Sequence, residues 1–361
     1  MRRGPLAAAL LLLAACAEGP GALRGDVSEG LVFVRVVEGS LDLARARLAD
    51  GSVRAFSRTP ERDETWPYWS AYSRRLVFQA VRSSGESGSN DLWLWEPYGD
   101  VERPLTQTPD RDERWPVWST DGRRLVYAFR GGEPAAGIAL LDLDAQSPTP
   151  RLLADSSGPD FFLRPSLSAD GRHLVAQRRG SDGAGSALWI LAPGAEAESL
   201  TGNPVWIDLK ARFSRDGTRV FYTRRLAAGG LHDVASVNLE GRDLRLHGSS
   251  DETDDHSAQP SPTRDELAFV SDRARDEDVY LVDLAGGAPR NLTRTPDLDE
   301  YAPRWSPDGE LLVVTSVDAD ADDLGLADRA ALARARLRVI DREGRVLLDT
   351  PGFMPDWMPP W

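Results

Sequence analysis

Paired carboxylates are the residues most able to do chemistry in this chain. Asp63-Glu64, Asp112-Glu113 and Asp299-Glu300 lie four and three residues before a recurring proline. Asp254-Asp255 takes the matching place before Ala258, Asp208 lies three before Ala211, and Asp160 lies five before Pro165. Carboxylates gathered on one rim raise the local negative potential and draw in cations or basic groups. The plainer reading is structural: Asp and Glu in tight connections accept backbone N–H bonds and fix the turn. The two readings coexist.

Other chemistry has weaker support. Asp318-Ala319-Asp320-Ala321-Asp322-Asp323 begins like a calcium loop, but Asp323 stands where the loop glycine belongs and Arg329 where the closing Glu belongs. A solvated acidic loop is the expected state, followed by a short exposed helix within Leu326 to Arg336. His173, His232, His247 and His256 are scattered, with no H-E-x-x-H and no close pair. Nothing local points to a Ser–His–Asp triad, and no G-x-S-x-G occurs. No cofactor and no metal are expected. Cys16 is the only cysteine, so neither an internal disulfide nor a thiolate nucleophile is available to the body of the chain. The net charge of −14 becomes −16 without the leader, whose charges are Arg2 and Arg3. That sign argues against nucleic acid.

The elements that must position these groups repeat. Trp66-Pro67-Tyr68-Trp69-Ser70 matches Trp115-Pro116-Val117-Trp118-Ser119, Arg164-Pro165-Ser166-Leu167-Ser168 and Ala302-Pro303-Arg304-Trp305-Ser306. Weaker copies are Lys210-Ala211-Arg212-Phe213-Ser214, Gln259-Pro260-Ser261 and Pro355-Asp356-Trp357. The intervals are 49, 49, 46, 47, 45 and 52 residues. An Asp-Gly turn follows in four copies, at Asp121, Asp170, Asp216 and Asp308. Three further short strands come next, such as Leu76-Val77-Phe78, Asp91 to Trp95 and Pro104-Leu105-Thr106. Four strands per repeat predict one blade of an all-β propeller. The motif tryptophans, being in register, are read as packing between blades.

Leu31 to Val34 onward matches the second to fourth strands of a blade, and Met354 to Trp357 matches a first strand. Joining them completes one blade and removes two exposed sheet edges. Six complete repeats plus this composite predict seven blades, with six or eight left open by the degenerate copy near Ser261. Innermost strands line a propeller's channel, so the carboxylate segments are expected to ring its mouth.

Arg2-Arg3 followed by the apolar run Leu6 to Ala15 reads as an export signal over residues 1–15. Leu13-Ala14-Ala15-Cys16 resembles the lipobox of bacterial lipoproteins. It implies lipidation at Cys16 and, with Ala17 following, placement at the outer membrane. Residues 16–29 form the lipidated cysteine and a flexible tether, and residues 30–361 form the propeller. The pattern P-x-W-S-x-D-G, then S-x-R-x-x-x-x-D-x-Y-x-x-D, resembles the TolB-type, or WD40-like, propeller repeat. Its fullest copy joins Ser271-Asp272-Arg273 to Asp278-Val279-Tyr280-Leu281-Val282-Asp283. TolB-type proteins carry a small α/β domain before a six-bladed propeller, whereas only a tether precedes the repeats here. The same repeats form the propeller of prolyl-oligopeptidase-like enzymes.

The expected function is a non-enzymatic, monomeric envelope lipoprotein, anchored in the membrane through Cys16. It would bind a protein or peptide partner, a basic one included, at an acidic channel mouth. The partner-binding candidates are Asp63, Glu64, Asp112, Glu113, Asp160, Asp208, Asp254, Asp255, Asp299 and Glu300. The alternative is a propeller hydrolase or lyase acting on peptide or polysaccharide.

Overall fold

The computed structural model describes residues 30–82, 89–97, 99–145, 148–156, 160–180, 185–192, 195–202, 205–248, 252–318 and 328–358. The export signal, Cys16, the tether and most of the acidic loop (319–323) lie outside the described residues. The strands are β1 (Gly30–Val37), β2 (Ser40–Arg47) and β3 (Val53–Ala55), then β4 (Arg62–Ser70), β5 (Arg75–Arg82), β6 (Asn90–Glu96) and β7 (Val101–Pro104). Next come β8 (Asp112–Trp118), β9 (Arg124–Arg130), β10 (Ala136–Asp142) and β11 (Arg151–Asp155), followed by β12 (Phe161–Leu167), β13 (Leu174–Arg179), β14 (Ser186–Leu191) and β15 (Glu198–Ser199). The pattern continues with β16 (Trp206–Phe213), β17 (Arg219–Leu226), β18 (Asp233–Asn238) and β19 (Arg245–Leu246), and with β20 (Asp255–Pro260), β21 (Glu266–Ser271), β22 (Asp278–Asp283) and β23 (Arg290–Asn291). The last are β24 (Leu298–Trp305), β25 (Leu311–Asp318), the helix α1 (Arg329–Arg334), β26 (Arg336–Asp341), β27 (Val346–Pro351) and β28 (Phe353–Met358).

Five sheets have four strands each: β4 to β7, β8 to β11, β20 to β23, β24 to β27, and the composite β28-β1-β2-β3. The expectation of seven separate blades is therefore corrected to five. The strands of two further repeats lie in one larger sheet, because Ser186 on β14 pairs in parallel with Ile207 on β16 and bridges them. In the composite sheet Leu31 pairs with Trp357 and Val32 with Asp356.

Second strands such as β5, β9 and β21 are nearly continuous runs of apolar residues because both their faces are covered. Between successive sheets the faces interlock. Val32, Val34, Leu41 and Leu43 pack on Leu76, Phe78 and Trp95, while Leu31, Phe33, Ala44 and Ala46 pack on Val313, Leu337 and Val339. In four repeats the hairpin after the motif strand is built by its Ser-x-Asp-Gly. Ser119 Oγ donates to Asp121 Oδ1 at 2.5 Å and accepts from the Arg124 N–H at 3.0 Å. Ser168, Ser214 and Ser306 do the same. The helix α1 is capped by Asp328, whose carboxylate accepts the Ala331 N–H at 2.9 Å. It is shorter than expected and only partly exposed, since Ala331 and Leu332 are buried.

Candidate functional site

Every motif strand carries the same irregularity. The pairing of β4, β8, β12, β16, β20, β24 and β28 with its neighbour skips two residues, for example 66 and 67 on β4. The first skipped residue has positive φ each time: Trp66, Trp115, Arg164, Lys210, Ser257, Ala302 and Met354, between 48° and 58°. The second is Pro67, Pro116, Pro165, Ala211, Ala258, Pro303 or Pro355. A proline there loses no ladder bond, because the bulge already leaves that position unpaired. Left-handed backbone at a non-glycine residue costs on the order of 1–2 kcal/mol. Its recurrence in every motif strand shows that the neighbouring sheets impose it. Side chains of the preceding sheet catch the freed donors. Gln79 Oε1 accepts the Trp115 N–H at 2.7 Å, and Thr223 Oγ1 the Ser257 N–H at 3.1 Å.

These strands surround a common cavity of about 340 Å³. Its walls come from the motif strands and the turns that follow them, which makes those strands the innermost ones. Tyr68, Val117, Ser166, Arg212, Gln259, Arg304 and Asp356 hold one repeat position along it, and Trp115 and Arg164 another. The motif tryptophans tie neighbouring inner strands together. Trp118 Nε1 donates to the Tyr68 carbonyl at 2.9 Å, Trp305 to Gln259 at 3.0 Å and Trp357 to Arg304 at 3.2 Å.

The charged groups reaching this space are mainly basic. Arg304 Nη1 donates to Asp356 Oδ1 at 2.9 Å and lies 4.8 Å from the Tyr68 ring centre. Burial works against its charge, but Tyr68 and Asp356 outweigh burial and hold it protonated. The other Asp356 oxygen accepts the Trp69 N–H at 2.6 Å. Arg164 faces the rings of Trp66 and Trp115 at 5.4 and 5.6 Å. Among the described residues Arg212 donates to the Ala211 carbonyl, at 2.8 Å. Burial, with Arg304 and Arg164 nearby, lowers Arg212 to about 10. Lys210 is lowered to about 8 by burial and then by Arg164.

Lys210 is not among the residues that line the cavity and belongs to a second cluster. Its Nζ donates to Ser257 Oγ at 2.9 Å. Ser257 Oγ lies 2.9 Å from His256 Nδ1, and His256 Nε2 lies 3.0 Å from Glu277 Oε1. His232 sits edge-on to His256 at 6.0 Å, with its Nδ1 2.8 Å from Asp254. A serine hydroxyl flanked by imidazole and amine is the arrangement that activates an oxygen nucleophile.

The carboxylates expected at the channel mouth divide into two sets. Glu64, Glu113, Asp208, Asp255 and Glu300 are wholly buried. Glu64 bonds Ser57, Thr59 and Arg62, and Glu113 bonds Thr106 and Thr108. Asp208 holds Arg224 by two bonds of 2.7 and 2.9 Å, and Asp255 holds Arg273 at 2.8 Å. Glu300 accepts from Thr295 at 2.6 Å and is pushed up to about 8, chiefly by burial. Asp63, Asp112, Asp254 and Asp299 are half-buried, and each accepts one backbone N–H from the residue 22 positions earlier: Leu41, Asn90, His232 and Glu277. Asp160 pairs with Arg178 at 3.2 Å. These residues sit at the starts of the inner strands, while the cavity extends to Pro262 and Pro307 in the turns at their far ends.

Sequence reasoning missed Arg164, Lys210, Arg212 and Arg304 as a group, and also Ser257 with His256. Their signal was the motif itself. The residue one before the motif Trp position lines the cavity in every repeat, Arg212 and Arg304 among them, and the residue three before it does so at Trp115 and Arg164.

No family model matches the chain. It is 35% identical over 91 residues to the Tol-Pal system protein TolB of Nitratidesulfovibrio vulgaris, covering 25% of this chain and 20% of that protein. It is 34% identical over 109 residues to the uncharacterized peptidase YuxL of Bacillus subtilis, covering 29% and 16%. The matches thus span a fifth or less of those curated relatives. Among solved structures, the putative TolB from Agrobacterium tumefaciens superposes with a TM-score of 0.51 at 22% identity, over 73% of this chain and 89% of that one. A puromycin hydrolase gives 0.70 at 17% identity over 97% and 55%. An oligogalacturonate lyase from Vibrio parahaemolyticus gives 0.60 at 13% identity over 88% and 85%. Four-stranded sheets around a common cavity place the chain in the β-propeller class. Within that class, a stretch of 91 residues is similar in sequence to TolB. The expectation that the chain is not an enzyme does not stand, because a peptidase is among its relatives and hydrolase and lyase structures are among its neighbours.

Proposed function

We propose that this protein is a propeller scaffold that binds a protein or peptide partner in and around its central channel. The observation that carries this reading is the cavity of about 340 Å³, whose walls combine Trp115, Val117, Leu167 and Trp305 with Arg164 and Arg212. Apolar walls with a few convergent polar groups are the usual make-up of a binding site. The half-exposed Asp63, Asp112, Asp160, Asp254 and Asp299 form the opposite rim and meet basic groups of the partner. In the same proposal the larger sheet counts as two blades, giving seven, with β28 and β1 joining the ends. Residues 1–15 export the chain, and Cys16 anchors it to the outer membrane. A photo-crosslinker at Gln259, inside the cavity, is expected to trap one discrete envelope protein, whereas one at Val101 on the outer strand β7 is not. Equal trapping at both positions, or none, would overturn the reading.

A second reading has its own observation, the Lys210–Ser257–His256–Glu277 cluster. In it Ser257 Oγ attacks an ester or amide carbonyl, its proton passes to His256 Nδ1, and Glu277 steadies the imidazolium. The leaving alcohol or amine takes that proton, and water then releases the acyl group. Labelling of the chain by a fluorophosphonate, lost in Ser257→Ala, supports this reading. No labelling, or labelling kept in that variant, ends it.

A further inference from the structure

We propose that the central cavity binds the carboxylates of an acidic peptide segment, held by Arg164 and Arg212. The inference rests on the partner-binding reading and names the chemistry that the channel selects.

Two guanidiniums from the adjacent strands β12 and β16 line the cavity without a carboxylate partner among the described residues. There Arg164 has the faces of Trp66 and Trp115, and Arg212 the Ala211 carbonyl. The cavity's one wall carboxylate, Asp356, is already committed to Arg304 and to the Trp69 N–H. The paired carboxylates described above lie at the opposite ends of the inner strands, and the Asp residues of the turns at the cavity end accept from their own serines, as Asp121 and Asp308 do. Like charges crowded in a poorly solvated space oppose one another, and an entering anion relieves that opposition. The lowered proton affinity of Arg212 agrees with this picture.

A guanidinium presents paired donors that match a carboxylate bidentately. Arg212 leaves most of its donors unused. The wall is not a bare anion hole, since Val117, Leu167, Pro260 and Trp305 line the same space. Apolar surface beside cations suits a peptide, which brings carboxylates and aliphatic stems together. A volume of about 340 Å³ lies at the low end of ligand sites, which run from about 300 to 1,000 Å³, and holds a few side chains. The whole chain, at −14, repels anions at long range, so the affinity must arise from contact inside the cavity.

The test is calorimetric titration of the folded protein with blocked tri-glutamate, tri-glutamine and trigalacturonate, combined with thermal melting. Tri-glutamate is expected to bind, to raise the melting temperature, and to lose at least about tenfold in affinity in Arg164→Gln and in Arg212→Gln. Tri-glutamine binding as tightly, or variants binding tri-glutamate unchanged, would overturn the proposal. Trigalacturonate binding as tightly as tri-glutamate would also overturn it, in favour of an acidic sugar. Should a variant fail to fold, the contrast between tri-glutamate and tri-glutamine in the melting of the unaltered protein still decides. Crosslinking at Gln259 that persists while tri-glutamate fails would sink this proposal and leave the binding reading standing.

Discussion

Glu300 shows how one repeat position acquires individual chemistry. It occupies the place of Glu64 and Glu113, and like them it is wholly buried. Glu64 has Arg62 bonded to it, whereas Glu300 has Thr295 at 2.6 Å and Arg338 only at 3.8 Å, and its second oxygen finds no hydrogen-bond partner. Burial pushes its pKa up to about 8, with Thr295 holding it back and Asp278 adding to the rise. Since the folded value lies above the unfolded one, the folded state binds more protons between about 4.5 and 8. The contribution to stability is then fully present below about 4.5 and is lost as pH rises through about 8. Glu300→Gln removes that dependence. Its melting temperature should match the unaltered protein near pH 4.5 and exceed it near pH 8.5, by an amount corresponding to about 1–3 kcal/mol. A difference that does not change with pH would sink the assignment. The sequence announced a carboxylate here, and its local pattern gives Glu64 an arginine two residues earlier on the same strand where Glu300 has Leu298; it could not say that Arg338, from β26, stays at 3.8 Å.

At the scale of elements, the motif hairpins were legible because their chemistry is local. Ser, Asp and Gly at fixed offsets need only one another to close the turn. The inner-strand bulge was not legible, since the positive φ falls on Trp, Arg, Lys, Ser, Ala and Met alike and is imposed by the packing of neighbouring sheets. The same contrast separates two otherwise equivalent glycines. Gly122 has φ +63°, and a Cβ there would stand 2.7 Å from Ser70 Oγ and 2.8 Å from the Ser73 backbone nitrogen, in the turn of the preceding repeat. Gly217 has φ +71°, but its nearest neighbour would be Ser168 Cβ at 3.7 Å. Gly217→Ala should cost only the left-handed strain, about 1–2 kcal/mol. Gly122→Ala should cost that and roughly 1–3 kcal/mol more for the clash. Chemical denaturation of both variants checks this, and equal losses would show that the turns of adjacent repeats do not bear on each other.

At the scale of the molecule, the strand β28 bears three loads at once. It supplies the inner strand beside β1, it places Asp356 between Arg304 and the Trp69 N–H, and it ties its neighbour through Trp357 Nε1. The sequence revealed this strand because Pro355-Asp356-Trp357 repeats the motif. It did not reveal that Asp356 is the counter-ion of the cavity, since that role depends on which repeat lies alongside. Ending the chain at residue 352 leaves the long, apolar β1 as a free edge, with Arg304 lacking its carboxylate. An unpaired edge of that kind templates pairing with other chains. The truncated protein is therefore expected to melt far below the intact one and to elute as oligomers in size-exclusion chromatography. A synthetic peptide of residues 353–361 added during refolding should restore the single-chain species, and the same peptide with Asp356→Ala should restore it poorly. A truncated chain that stays monomeric and melts normally would mean that the sheets hold their arrangement without the pairing of the two ends.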